Sequence, residues 1–142
     1  MKNDITAQVS ETINAPLWEV WEALVTPEII KKYFFGTNAK SDWTVGSPIT
    51  FTGEWQGKVY EDKGTILENE PGKRLKYSYW SSVSGIEDKP ENYAGVAFEL
   101  EEKDGQTLIT STQDNIPSEE MKKHSTENWG KVLKGMKELL EK

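Results

Sequence analysis

The sequence predicts an α+β fold in which a curved antiparallel sheet wraps around a long C-terminal helix. Three observations predict it. Residues 5–34 read as one strand and two short helices, residues 49–114 read only as strands and turns, and residues 118–141 read as one amphipathic helix. A curved sheet cannot lie flat along a helix, so we expect a cavity between the two. Such a cavity is where a binding site is most often found.

The N-terminal third begins with a strand. Apolar and polar residues alternate over Ile5–Ile13, which is typical of a strand with one buried face. Residues 15–24 carry an apolar stripe at helical spacing. A second helix is predicted over residues 27–34, because Pro27 suits the first helical position and Gly36 suits the stop.

The middle of the chain alternates strand patterns with turn signals. Pro71-Gly72 and Asp104-Gly105 are typical turn pairs, and residues 81–91 form a polar loop. Five strands are predicted between these signals, over residues 48–55, 59–69, 74–80, 92–102 and 106–114. Tyr79 and Trp80 are neighbours in a strand, so they should point to opposite faces.

The last helix is predicted to begin at Ser118, which caps it and is followed by two acidic residues. Gly130 and Gly135 each cost only about 1 kcal/mol relative to alanine, so the helix should run without a break to residue 141. Its apolar side should face the concave side of the sheet through Met121, Trp129, Val132, Leu133 and Met136.

Composition limits the function. A chain of 142 residues suits one domain, which we place at residues 1–142. The 24 acidic and 17 basic residues give a net charge of −7, which argues against nucleic acid and anionic membrane surfaces as partners. No apolar run resembles a signal peptide or a membrane span, so we expect a cytoplasmic protein without membrane insertion. Six Trp, five Tyr and four Phe could fill a core or line an apolar pocket.

Several short motifs carry a resemblance to a known family. They are Val20-Trp21-x-Ala23-Leu24-x-Thr26-Pro27-Glu28, Trp43-x-x-Gly46, Gly64-Thr65-Ile66-Leu67-Glu68, Pro71-Gly72-Lys73-Arg74-Leu75, Phe98-Glu99-Leu100 and His124-Ser125-x-x-Asn128-Trp129. In this order and spacing the chain resembles the START-like (SRPBCC) superfamily, and within it the homologues of the heat-shock protein 90 ATPase activator.

The resemblance implies a helix-grip fold, with about seven antiparallel strands around the C-terminal helix. It also implies a hydrophobic cavity that opens near the second short helix. Members of the superfamily bind lipids, polyketides, hormones or antibiotics, and a few catalyse cyclisation. The fold alone does not decide among these activities.

His124 is the one histidine in the chain, so a cluster of histidines around a metal is excluded. His124 and Asn128 are four residues apart and project from one side of the helix. They could orient a polar group of a ligand, or they could fasten the helix to the preceding strand. Phe34 and Phe35 before Gly36 could form a lid over the cavity, or they could simply cap the core.

We therefore predict a non-enzymatic protein that binds a small, largely apolar or amphipathic ligand, as a monomer or weak dimer, with no metal and no cofactor. Two alternatives stay open: a co-chaperone-like module that binds a chaperone, and a cyclase- or hydrolase-type enzyme acting on a hydrophobic substrate. The candidate ligand-binding residues are Tyr33, Phe34, Phe35, Trp43, Trp55, Tyr79, Met121, His124 and Asn128.

Overall fold

The computed structural model describes residues 5–34, 36–55, 57–81 and 87–141, without the side chain of Trp55. The α-helices of this part are α1 (Leu17–Val25), α2 (Pro27–Tyr33) and α3 (Glu119–Leu140). The strands are β1 (Ile5–Ile13), β2 (Asn38–Lys40), β3 (Pro48–Trp55), β4 (Lys58–Glu70), β5 (Arg74–Tyr79), β6 (Ala94–Lys103) and β7 (Gln106–Ile116). A 3₁₀ turn, Pro90–Asn92, precedes β6.

The seven strands form one antiparallel sheet in the order β1-β7-β6-β5-β4-β3-β2. Each strand from β2 to β6 pairs with the next strand along the chain, as in a meander, and β1 closes the far side against β7. Helix α3 packs mainly on β1 and more lightly on β7 and α2. The predicted α+β helix-grip fold is confirmed, including the two short helices after the first strand.

The long strand β4 bends the sheet, because it changes partners along its length. Its first half pairs with β3, up to Thr65 opposite Pro48, and its second half pairs with β5 from Ile66 onward. Gly64 lies at the change, where an added Cβ would be 1.6 Å from the carbonyl oxygen of Ser78. Only glycine lets the two backbones approach this closely. The sheet therefore curls and presents a concave side.

The concave side and α3 enclose the core. The helix buries Trp129, Val132, Leu133 and Met136, as predicted, and Ser118 caps it by accepting a hydrogen bond from the backbone N–H of Met121. The prediction that Met121 itself faces the sheet is wrong, since its side chain is 41% exposed. The first buried residue of α3 is Trp129, and the preceding turn borders a cavity through Ser125 and Asn128.

The two short helices lie against each other and against α3. Helix α1 begins at Leu17 rather than at residue 15, because Pro16 has an extended backbone with ψ at 149°. The hydroxyl of Tyr33 in α2 donates to the carbonyl oxygen of Ala23 in α1 at 2.7 Å. A Cβ added at Gly135 on α3 would lie 3.5 Å from the carbonyl oxygen of Tyr33, so the end of α2 comes close to α3. These contacts fix the end of α2 beside the last helix.

Strand β2 is absent from the strand pattern of the sequence. It has only three residues, and two of them are polar and exposed, so it shows no run of alternation. It forms because Ala39 lies opposite Phe51 of β3 and is buried there. The tertiary contact, rather than local propensity, makes this edge strand.

Candidate ligand-binding cavity

A cavity of about 510 Å³ lies between the concave side of the sheet and the middle of α3. It is open to solvent, and Asn128 and Lys131 of its wall are both exposed. Its wall is formed by Phe34, Thr37, Tyr60, Asp62, Tyr79, Ser81, Gln113, Ser125, Asn128, Trp129, Lys131 and Val132. The wall therefore combines aromatic rings with several hydrogen-bonding groups.

The aromatic part of the wall is packed at fixed angles. The rings of Phe34 and Trp129 meet edge to face, with centroids 5.7 Å apart, and Trp129 makes a similar contact with Phe98 at 5.5 Å. The indole N–H of Trp129 donates to the side-chain oxygen of Gln113 on β7 at 2.9 Å. Aromatic pairs favour this edge-to-face arrangement. Trp129 is thus held in one orientation by the ring contacts and by the hydrogen bond.

The polar part of the wall centres on Asp62, which is only 6% exposed. The hydroxyl of Tyr79 donates to a carboxylate oxygen of Asp62 at 2.5 Å. Burial, followed by the charge of Asp62 and this hydrogen bond, raises the pKa of Tyr79 well above its ordinary value. Tyr79 therefore keeps its proton and serves as a hydrogen-bond donor at neutral pH.

A second polar pair, Thr37 and Tyr60, joins the residue before β2 to the start of β4. The hydroxyls of Thr37 and Tyr60 share a hydrogen bond of 2.6 Å. Tyr60 pairs across the sheet with Gly53, and an added Cβ at Gly53 would be 2.5 Å from the phenol oxygen. The missing side chain of Gly53 makes room for the phenol of Tyr60 over β3, where it borders the cavity.

Next to the cavity lies a much smaller apolar void of about 20 Å³, with room for about one water molecule. Phe34 borders both spaces, and its ring stacks on that of Phe51 with centroids 6.1 Å apart. Phe34 is therefore the partition between the void and the cavity. Trp43 borders only the void.

The structure brings three of the candidate residues together on the cavity wall: Phe34, Tyr79 and Asn128. Tyr33 and Trp43 border the small void instead. His124 and Met121 are exposed and do not line the cavity. Phe35 and the side chain of Trp55 lie outside the described residues.

His124 is exposed because the face of α3 that borders the cavity passes through Ser125 and Asn128. Its position does not support the orienting role that the four-residue spacing suggested. As strand alternation predicts, Tyr79 points into the cavity, whereas Trp80 lies outside it and stacks on Tyr93.

The sequence interpretation overlooked the buried carboxylate of the wall, Asp62. In the sequence Asp62 follows another acidic residue, Glu61, and neighbouring strand residues alternate to opposite faces. The two-residue repeat of a strand could have identified Asp62 as an inner residue. Tyr60, Asp62 and Ile66 share one face of β4, and Ile66 is fully buried. The pairing of Asp62 with Phe51 on β3 places it on the inner face as well.

Within the described ranges, no group of three or more His, Asp or Glu residues is arranged to hold a metal ion. No helix of the described chain is long and apolar enough to cross a membrane.

Residues 14–141 match the model of the family described as Activator of Hsp90 ATPase homolog 1-like protein. The chain belongs to this family. Membership places it in the SRPBCC superfamily, as the sequence motifs predicted. Among curated proteins, none matches the chain.

Several solved structures share the fold of this chain. ChR145 from Cytophaga hutchinsonii is 49% identical, with a TM-score of 0.85 over 99% of this chain and 97% of that protein. The Aha1 dimer from Colwellia psychrerythraea is 20% identical, with a TM-score of 0.74 over 96% of each chain. CalU16 from Micromonospora echinospora is 24% identical, with a TM-score of 0.68 over 96% of this chain and 83% of that one. The last two likenesses concern the fold alone.

Proposed function

We propose that this member of the Activator of Hsp90 ATPase homolog 1-like family binds a small amphipathic ligand between the sheet and α3. The observation that carries the proposal is the cavity of about 510 Å³, whose wall pairs aromatic rings with the buried Asp62–Tyr79 hydrogen bond. Pockets for small ligands typically measure about 300–1,000 Å³ and combine an apolar lining with a few fixed polar groups.

The apolar part of the wall supplies the affinity in this proposal. Burying roughly 200 Å² of apolar ligand surface would contribute about 5 kcal/mol before the entropic cost of binding is subtracted. The polar pairs then select ligands whose donors or acceptors match them, because a buried polar group left unpaired costs about 1–3 kcal/mol.

Binding is favoured over catalysis by the nature of the titratable groups on the wall. An acid–base catalyst works best with a pKa near the operating pH. The pKa of Tyr79 is instead raised away from neutral by burial and by Asp62, and His124 does not line the cavity. The co-chaperone alternative is supported by family membership alone.

A cavity-filling variant tests the proposal. The probe is prodan, a neutral naphthalene dye whose emission shifts to the blue in an apolar site. We expect the wild-type protein to bind one prodan molecule and Ser125→Trp to abolish binding, because Ser125 lines the cavity and an indole would occupy it. Saturating dye should also raise the melting temperature of the wild type, by the linkage of binding to folding.

The matched control is Glu127→Trp, which adds the same indole to α3 at an exposed position that does not line the cavity. It should bind prodan as the wild type does. Equal loss of binding in both variants, or no binding by the wild type, would refute the proposal. Native mass spectrometry of protein purified from its own source should in addition reveal a retained small molecule.

A further inference from the structure

The cavity wall places a buried carboxylate among aromatic rings. Asp62 is 6% exposed, and the rings of Phe34, Tyr60, Tyr79 and Trp129 line the same cavity. We infer that the cavity selects an organic cation, an ammonium group carried on a flat apolar body, over neutral or anionic ligands of the same shape. The inference rests on the proposed function, because it names the ligand class of that site.

The carboxylate is the first reason. Asp62 accepts a hydrogen bond from Tyr79. A carboxylate has about four lone-pair sites, so it can accept a ligand donor beside its partners in the protein. A hydrogen bond between a charged donor and a charged acceptor is roughly twice as strong as a neutral one. Burial of Asp62 strengthens this preference, because the local dielectric constant is lower than that of water.

The aromatic rings are the second reason. The faces of aromatic rings carry negative partial charge and attract cations, most strongly where water is excluded. Trp129 is held by its hydrogen bond to Gln113 and by its edge-to-face contact with Phe34, so its ring is fixed before a ligand arrives. An anion in the same place would meet both the carboxylate and these ring faces unfavourably.

Among the described residues of the wall, Lys131 has the opposite charge. Lys131 lines the cavity, but it is exposed, so water and salt screen its charge. Asp62 is buried and is screened much less. The buried carboxylate therefore outweighs the exposed ammonium group of Lys131 in deciding the charge of the ligand.

Three probes that share one naphthalene ring test the inference by calorimetry: naphthylmethylammonium, naphthylmethanol and naphthoate. We expect the wild-type protein to bind the ammonium probe about fivefold more tightly than the alcohol and to bind naphthoate most weakly. Asp62→Asn should weaken binding of the ammonium probe about tenfold and leave the alcohol nearly unchanged.

The matched control is Glu61→Gln. Glu61 directly precedes Asp62 on β4, is exposed, and alternates to the other face of the sheet. It removes the same charge from the protein, so it separates the buried carboxylate from the general attraction of a chain with net charge −7. Its ammonium affinity should equal that of the wild type. A second variant, Tyr79→Phe, keeps the carboxylate and the ring and should retain the preference for the ammonium probe.

The outcomes separate the inference from the proposed function. If no naphthyl probe binds, the proposed function fails and the inference fails with it. If the probes bind equally, or naphthoate binds best, the cavity binds ligands but the inference is overturned. It is also overturned if Glu61→Gln weakens ammonium binding as much as Asp62→Asn does, or if Tyr79→Phe loses the preference.

Discussion

At the scale of single residues, glycines decide how closely the strands approach. Gly64 lies where β4 passes from β3 to β5, and a Cβ there would be 1.6 Å from the carbonyl oxygen of Ser78. Backbone atoms cannot move aside as the end of a flexible side chain can. Gly130 on α3 is the opposite case, because a Cβ there would meet no atom within 4 Å.

Substitution by alanine should have opposite effects on stability at Gly64 and at Gly130. Gly64→Ala should lower the free energy of unfolding by at least about 2 kcal/mol, because β4 and β5 must separate. Gly130→Ala should raise it by about 0.5–1 kcal/mol, because alanine favours the helix and meets no clash. Denaturant titration followed by circular dichroism measures both changes. A Gly64→Ala protein as stable as the wild type would contradict the close approach at the bend.

At the scale of elements, the end of α3 is tied to the end of β1. Lys137 donates to the carbonyl oxygen of Thr12 at 2.8 Å and to the carboxylate of Glu141 at 2.6 Å. The same carboxylate accepts the backbone N–H of Asn14 at 2.7 Å. The hydrogen bond from Lys137, followed by the one from Asn14, lowers the pKa of Glu141. The cluster fixes the last turn of α3 against the first strand.

The stability that this cluster contributes should decrease as the pH falls. Because the pKa of Glu141 is lowered on folding, its contribution is present above its unfolded pKa and is lost as the pH falls through the folded one. Glu141→Gln should therefore lower the melting temperature at neutral pH, and the difference from wild type should shrink in acid. The control is Glu138→Gln, an exposed position on the same turns of α3. Equal melting temperatures for both variants at neutral pH would argue against the tie.

At the scale of the whole molecule, the core encloses several phenols. Tyr33, Tyr77 and Tyr79 belong to the core or pack against it, and burial is the first cause that raises the pKa of each. The raised pKa values follow from the way the sheet and α3 together exclude water. They link the stability of the entire fold to alkaline pH.

The raised pKa values of these tyrosines determine how stability changes at alkaline pH. An unfolded tyrosine releases its proton near about pH 10, whereas these three keep theirs in the folded protein. Above that pH the unfolded state binds fewer protons, so stability falls as the pH rises. The absorbance of phenolate should show that three of the five tyrosines ionise only together with unfolding. Ionisation of all five while the circular dichroism spectrum stays native would contradict the burial.

Local patterns predicted the elements because each reports which face of the chain is apolar. The alternation over Ile5–Ile13, the turn at Asp104-Gly105 and the stripe on α3 were sufficient to place β1, the last hairpin and the terminal helix. The same patterns, read with the family motifs, also predicted a sheet curved around that helix. They failed for β2, whose three residues become a strand only because β3 lies beside them.

The composition of the cavity wall was decided by the tertiary structure alone. Asp62 and Tyr79 are 17 residues apart and belong to different strands, and Phe34 and Trp129 come from opposite ends of the chain. Periodicity identifies the inner face of each strand, but it does not show which inner residues meet. The bend at Gly64 and the approach of α3 bring them together, and the same geometry leaves His124 in solvent. The sequence by itself determined the architecture, whereas the chemistry of the wall depends on contacts between distant segments.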